Sequence, residues 1–245
     1  MTRIKKKAKE EKVYNNGIIK ADLYPNQKSL VNGFLPHHLI SGFYGSAGKA
    51  KDFMQLYYAV KQVLDKGTNY EKIVVVKPIT HIGKEIGFLQ GSEADKVSPY
   101  RQSFVDNLEI ILGKNGANNF INGHRFEFEP ITFMRGNTFK DCIVILSEAQ
   151  NCTLHELISV TTRVAETAQL LINGDPMQSD IKNSGLSDFR WIMNNNVEEY
   201  QEIELDDSHQ RRSPLILKID KAYREFLSPK KPKVKNNLWN TNKTF

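Results

Sequence analysis

The stretch Gly45-Ser46-Ala47-Gly48-Lys49-Ala50-Lys51-Asp52 is where residue types and spacing in this chain most suggest chemistry. Glycines and a lysine, after an apolar run and before a helical pattern, are the ingredients of a loop whose backbone N–H groups cradle phosphates while the lysine reaches the β and γ phosphates. In the standard G-x-x-x-x-G-K-[ST] pattern, a hydroxyl after the lysine ligates Mg²⁺. Gly45 and Lys51 meet that pattern, whereas Ala50 stands where glycine is wanted and Asp52 where the hydroxyl is wanted. Ala50 brings a Cβ to a point where backbone must approach phosphate closely. Asp52 brings a negative charge beside a polyanion, a repulsion of roughly 4 kcal/mol per charge pair at about 4 Å and an effective dielectric of about 20. The same residues have a reading that needs no ligand. Asp52 and Gln55 have the spacing of a capping box that opens a helix over Phe53–Lys66.

Two more segments carry polar groups at the ends of apolar runs. Cys142–Leu146 runs into Ser147-Glu148-Ala149-Gln150-Asn151, as a Walker B strand does. Leu170–Ile172 runs into Asn173-Gly174-Asp175-Pro176-Met177-Gln178, with Asp175 and Gln178 on the following loop. Both strand ends are expected to face the phosphate loop, because ligands in open α/β sheets bind at the carboxyl ends of the strands.

The elements that must position these groups alternate along the chain. Apolar, β-branched runs at Leu39–Tyr44, Ile73–Val76, Phe126–Phe133, Cys142–Leu146, Leu170–Ile172 and Tyr200–Leu205 predict strands. Helical periodicity predicts helices at Asn26–Phe34, Phe53–Lys66, Ser103–Leu112, Thr153–Val164, Gly185–Met193 and Pro214–Leu227. Gly113–Gly123, rich in Asn and Gly, reads as a surface loop. The alternation predicts a three-layer α/β domain around a mostly parallel sheet.

With 245 residues the chain can bury roughly 70–75% of its unfolded surface, so disulfides and structural metals are not needed to hold it. No apolar run approaches the roughly 20 residues that cross a bilayer, and Met1–Lys12 is charged without an apolar segment behind it, which argues against membrane-spanning and secreted classes. Cys142 and Cys152 resemble neither a metal knuckle nor a disulfide framework, so a reducing cytoplasm is expected. The net charge of +6 is uneven: residues 1–12 carry +4, residues 229–245 carry +5, and the body between them −3. Such tails either hold phosphate backbones or are merely solvated. The expected organisation is a basic tail over 1–12, one folded domain over 13–228 and a second basic tail over 229–245.

These motifs stand in order with Ile86–Gly91, Ser98-Pro99-Tyr100, Met134–Thr138, Thr162-Arg163 and Ser184-Gly185-Leu186. The order resembles the PhoH family of P-loop ATPases over about Tyr24 to Tyr223, most specifically in Glu148–Asn151 and in Gly174-Asp175 followed by Gln178. The resemblance implies a RecA-like P-loop NTPase core, related to superfamily 1 helicases, that uses ATP and Mg²⁺ and couples hydrolysis to RNA or other nucleic acid. By the same resemblance, Gln27 recognises adenine and Gly45, Ser46, Ala47, Gly48, Lys49, Ala50, Lys51 and Asp52 hold the phosphates. Glu148 polarises the attacking water, Gln178 senses the γ-phosphate, and Arg163 and Arg212 are candidates for contacting phosphate in the same or a neighbouring subunit. A homo-oligomer, such as a ring, is implied, and RNA or single-stranded DNA is the implied partner, held partly through the tails.

The departures from the family pattern fall on the catalytic positions. Ser147 stands where the family has the Asp that holds the Mg²⁺ hydration shell, Lys77 where Arg is usual, Gln90 where Pro is usual, and Ser213 where His commonly follows Arg212. Ala50, Asp52 and Ser147 surround one metal and one phosphate chain, so lost or strongly reduced hydrolysis is expected. Two alternatives stand beside that expectation. One is a non-catalytic nucleic-acid-binding or assembly subunit. The other is an active site in which Asp52 and Ser147 have exchanged carboxylate and hydroxyl about the same Mg²⁺.

Overall fold

The computed structural model describes residues 13–14, 17–79, 93–134, 136, 138–211 and 213–227. The whole of the Ile86–Gly91 motif, Gln90 included, together with Arg135, Asn137, Arg212 and both basic tails, lies outside the described residues. The chain divides into two compact units between Gln210 and Arg211. In the second unit the described residues form one helix, Pro214–Leu227.

The first unit opens with a short antiparallel pair, β1 (Val13–Tyr14) and β2 (Gly17–Ile18), followed by helix α1 (Pro25–Ser29), which continues as a π-helical turn over Leu30–Phe34. A six-stranded sheet then forms from β3 (Ile40–Tyr44), β4 (Lys72–Lys77), β5 (Phe126–Pro130), β6 (Cys142–Leu146), β7 (Gln169–Gly174) and β8 (Tyr200–Glu204). Their order is β5-β4-β6-β7-β3-β8, and every pairing is parallel. The strand that leads into the phosphate-loop motif, β3, therefore lies one strand away from β6, with β7 between them.

Parallel strands covered on both faces read as continuous apolar runs. Ile73–Val76 and Cys142–Leu146 are such runs, buried throughout. Their side chains alternate between two cores. Ile143, Ile145 and Leu171 join a core with α2 (Lys51–Leu64), α3 (Glu93–Leu112) and α4 (Lys114–Asn122). Cys142, Val144, Leu146, Leu170 and Ile172 join the opposite core with α5 (Leu154–Thr161) and α6 (Leu186–Asn196). The result is the expected three-layer α/β arrangement. Gly185 lies so close to α5 that a Cβ there would sit 2.0 Å from the backbone nitrogen of Leu154, which explains glycine at that position.

Three expectations need correction. Gly113–Gly123 is helical over Lys114–Asn122, because Ala117 and Phe120 are buried and Ile121 is partly buried, and that apolar face outweighs the low propensity of Asn and Gly. The helix expected at Ser103 begins at Glu93 and carries Pro99 in its interior. The run Phe126–Phe133 is a strand only to Pro130, whose successor residues Ile131–Phe133 turn into a 3-10 segment. Both cysteines are free and buried, and burial pushes their thiols up, that of Cys142 to about 11 and that of Cys152 further. Among the described residues no helix is long and apolar enough to cross a membrane.

Candidate functional site

Residues 45–50 connect the end of β3 to the start of α2, and their shape depends on positive φ at Gly45 (144°), Gly48 (88°) and Ala50 (57°). Ala50 is the left-handed N-cap of α2. An L-residue in that region costs about 1–2 kcal/mol, so the loop keeps a glycine conformation without the glycine. The expected capping role of Asp52 is overturned: α2 begins at Lys51, and its N-cap has no side-chain hydrogen bond. Asp52 lies one residue inside the helix and is engaged elsewhere.

The loop carbonyls are held by protein donors. Lys51 Nζ donates to the carbonyls of Gly45 at 2.7 Å and Ser46 at 3.1 Å, and Gln210 Nε2 donates to that of Ala47 at 3.1 Å. In a planar trans peptide the N–H points opposite to the C=O, so the N–H groups of Ser46, Ala47 and Gly48 face away from these donors. Together with the first-turn N–H groups of α2, which have no intrahelical acceptor, they are the backbone donors this loop offers an anion. Burial pulls the Lys51 ammonium below its ordinary range, against the opposing pull of Asp175, Glu148 and Asp52.

Facing the loop are the ends of β6 and β7. The pairing of Leu146 with Ile172 puts Ser147 beside Asn173 one step on, and the strand alternation turns both toward α2. Asn173, 1% exposed, is the hub. Its amide donates to Asp52 Oδ1 at 2.8 Å and to Gln55 Oε1 at 2.7 Å, and its Oδ1 accepts the N–H of Glu148 at 3.4 Å. Gln55 in turn donates to the carbonyl of Ile172 at 3.0 Å. Ser147 is fully buried, and among the described residues its hydroxyl has no hydrogen-bond partner.

Glu148 takes a left-handed backbone conformation, with φ 58°, and its carboxylate is fixed from two sides. Gln150 Nε2 donates to Glu148 Oε2 at 2.6 Å, and Lys77 Nζ lies 3.9 Å from Oε1. The Gln150 carbonyl oxygen Oε1 accepts the N–H of Asp175 at 2.9 Å, which joins the two strand ends directly. Asp175 shapes its own loop: its side chain accepts from the N–H of Met177, and its carbonyl from that of Gln178.

The remaining candidates are distributed around this centre. Gln27 is buried in α1, where its Oε1 accepts the N–H of Tyr24 at 3.0 Å. Arg163 belongs to the α5 side of the sheet, opposite α2; its Nη1 donates to the carbonyl of Met134 at 2.9 Å and it borders a cavity of about 190 Å³ with His155 and Ser159. Arg212 lies outside the described residues. Sequence reasoning missed Asn173, Gln150 and Gln55 as site residues. The available signal was the polar side chain of Asn173 at the end of a strand buried along its whole length.

Below the loop, on the face opposite α2, Tyr44 and Tyr200 share a hydrogen bond of 3.0 Å between their hydroxyls. The Tyr200 hydroxyl also lies 2.5 Å from Glu202 Oε2, and Arg190 grips the same carboxylate through Nε and Nη2 while its guanidinium lies 4.4 Å from the centroid of the Tyr44 ring. Burial opposes the charge on Glu202, yet the bonds from Arg190 and Tyr200 hold its carboxyl below the ordinary value. This cluster supports the last residue of β3, directly before Gly45.

A family model described as PhoH-like protein matches residues 19–224. The chain belongs to the PhoH-like family. This PhoH-like chain is 32% identical over 200 residues to the PhoH-like protein of Bacillus subtilis, covering 80% of this chain and 61% of that protein. It is 33% identical over 149 residues to Protein PhoH of Escherichia coli, covering 59% and 42%. The chain thus spans about three fifths or less of the length of these relatives. Among solved structures, the Hef helicase domain of Pyrococcus furiosus aligns with 82% of this chain and 45% of its own, with 11% identity and a TM-score of 0.46.

Membership of this family implies a nucleotide and Mg²⁺, and the two halves of the site fit them differently. The backbone donors of Ser46, Ala47 and Gly48 and the start of α2 fit a phosphate chain. The metal side offers less: Asp52 is tied through Oδ1 to Asn173, and Ser147 contributes a buried, neutral hydroxyl. Among the described residues no three His, Cys, Asp or Glu side chains converge as a metal-holding group.

Proposed function

We propose that this PhoH-like chain binds ATP in the loop Gly45–Asp52 and has lost, or strongly reduced, its hydrolysis. The observation that carries this reading is the pairing of Asp52 with Asn173 beside the unpartnered hydroxyl of Ser147. On this reading the N–H groups of residues 46–48 and of the first turn of α2 receive phosphate oxygens, and Lys51 exchanges its loop carbonyls for them. Glu148, oriented by Gln150, is the group that would turn a water toward the phosphate; Gln27 meets the base and Gln178 the terminal phosphate. What is lost is the group that neutralises charge as the phosphoryl bond breaks. Phosphoryl transfer depends almost wholly on positioning and electrostatics, so that loss reaches turnover before it reaches affinity.

The test is equilibrium binding of a fluorescent ATP analogue with and without Mg²⁺, alongside phosphate release with and without RNA. Binding that depends little on Mg²⁺, with turnover well below about 1 s⁻¹, is expected. Turnover at or above that rate in Mg²⁺ supports the exchanged Asp52 and Ser147 site in its place.

The distribution of charge favours a second role, in which RNA or single-stranded DNA is held by tails of +4 and +5 around a body of −3. Lysine contacts of that kind act through counterion release, so binding should be salt-sensitive and indifferent to sequence. Comparing the full chain with residues 13–228 in salt titrations of a labelled oligonucleotide tests it; unchanged affinity and slope put the nucleic acid elsewhere. Assembly into a homo-oligomer, in which Arg163 or Arg212 reaches a neighbour's phosphates, is part of the same proposal and is read by light scattering.

A further inference from the structure

Lys49 lies within the phosphate loop, where a second cation would add to the attraction for phosphate. It is only 6% exposed, and its ammonium donates to the carbonyl of Leu205 at 2.5 Å, with Asp207 Oδ1 3.7 Å away. The charge is therefore spent on the segment that follows β8. That segment meets the end of β3 and the loop at three more points. The N–H of Leu205 donates to the carbonyl of Tyr44 at 2.7 Å, adding a rung to the β3–β8 ladder. The carbonyl of Leu205 comes within 2.9 Å of the place a Cβ would occupy on Gly45, so only glycine lets the two backbones meet. Gln210 Nε2 reaches the carbonyl of Ala47.

The segment is itself braced. Asp206 Oδ1 accepts from the N–H and the hydroxyl of Ser208 and lies 2.9 Å from His209 Nδ1. On its other side the carbonyl of Ser208 accepts the side-chain amide of Asn26 at 3.0 Å, next to Gln27.

We propose that residues 205–210 form a clasp for the phosphate loop and that Lys49 is its pin, a positioning residue that fixes the loop's shape and contributes no direct contact to a bound phosphate. A buried ammonium with a carbonyl at 2.5 Å and a carboxylate beside it leaves that position only by giving up both, and both belong to the segment after β8, whereas the carbonyls that hold Lys51 belong to the loop itself. The proposal rests on the nucleotide reading for its second measurement and stands without it for its first.

The first measurement is amide hydrogen exchange of the full chain without nucleotide. Lys49→Met and Gln210→Ala should each speed exchange of residues 45–50 at least tenfold while β4 and β6 keep their protection, and Lys49→Arg, which can still donate to Leu205, should stay near the parent rate. Unchanged loop exchange in Lys49→Met overturns the clasp, and loss of protection in β4 and β6 as well overturns its confinement to the loop. The second measurement is the affinity of fluorescent ATP and ADP analogues. Lys49→Met should weaken both by the same factor, about tenfold, and Gln210→Ala should add little once Lys49 is gone. A larger loss for ATP than for ADP, or full additivity, makes Lys49 a phosphate ligand and overturns the proposal. If the parent chain binds neither analogue, the nucleotide reading fails while the exchange experiment still decides the clasp.

Discussion

Between Gly45 and Ala50 the site is made of backbone, whereas at the ends of β6 and β7 it is made of side chains, and the two halves have absorbed change differently. Ala50 keeps the left-handed conformation of the glycine it stands for, so the loop retains its backbone course at a cost of about 1–2 kcal/mol. Ser147 and Asp52 each alter the charge that a metal and a phosphate would meet, and no backbone adjustment restores it. On the proposed reading, geometry carried by the main chain survives a substitution that chemistry carried by a side chain does not.

The largest effect should come from reversing the changes in both halves at once. Ala50→Gly, Asp52→Thr and Ser147→Asp together should raise ATP turnover by about three orders of magnitude, or about 4 kcal/mol of barrier, while each single change does little. Phosphate release in Mg²⁺ reads it, and a folded, nucleotide-binding triple variant that stays inert puts the defect at Lys77 or Ser213. Next, Asn173→Leu strips donors from Asp52 and Gln55 and the acceptor from the N–H of Glu148. Urea unfolding should show a loss of about 3 kcal/mol, because the buried Gln55 and the partly buried Asp52 and Glu148 N–H are all left unpaired; a loss under about 1 kcal/mol would mean that water replaces the amide.

On the loop side, the cluster beneath Tyr44 predicts a dependence on pH. The carboxyl of Glu202 lies below its ordinary value of 4.5, so its stabilisation is complete above that pH and disappears as pH falls through the folded value. Glu202→Gln should cost about 1.5 kcal/mol at neutral pH, and the gap from the parent should close in acid. A gap that stays constant in urea titrations from neutral to acid pH would assign the effect to shape. The smallest effect is that of Ala50→Gly alone, which should stabilise the fold by about 0.5–1 kcal/mol, since glycine's unfolded freedom offsets part of the relieved strain. A destabilised variant would show that the left-handed Ala50 carries no strain.

How far the fold could be read from the chain depended on whether the signal was local. Continuous runs such as Cys142–Leu146 and Leu170–Ile172 announce buried parallel strands because both faces need apolar cover. The helix at Lys114–Asn122 was hidden by its composition, since Asn and Gly speak for turns while the few apolar residues that fold it are sparse. In the site, Gly45, Lys51, Glu148 and Asp175 stand at positions a motif can show. Asn173 does not, for its role depends on β7 lying between β3 and β6, which is a matter of strand order. Asp52 misled for the same reason: its spacing to Gln55 fits a cap, yet its partner lies 121 residues away.

The two buried thiols make the molecule its own recorder of breathing. Cys142 begins β6 and Cys152 follows Glu148 beyond the other end of that strand, and burial both shields the two thiols and disfavours their thiolates in the closed fold. An alkylating reagent can therefore reach them only during an opening, and the label each collects over time clocks how often its end of β6 comes apart. Because the Glu148 end is bound to Asn173 and Gln150, a ligand that tightens that network should slow the clock at Cys152 more than at Cys142. The order of trapping then reports where along a single strand the domain first lets go, without a dye or a tag being added.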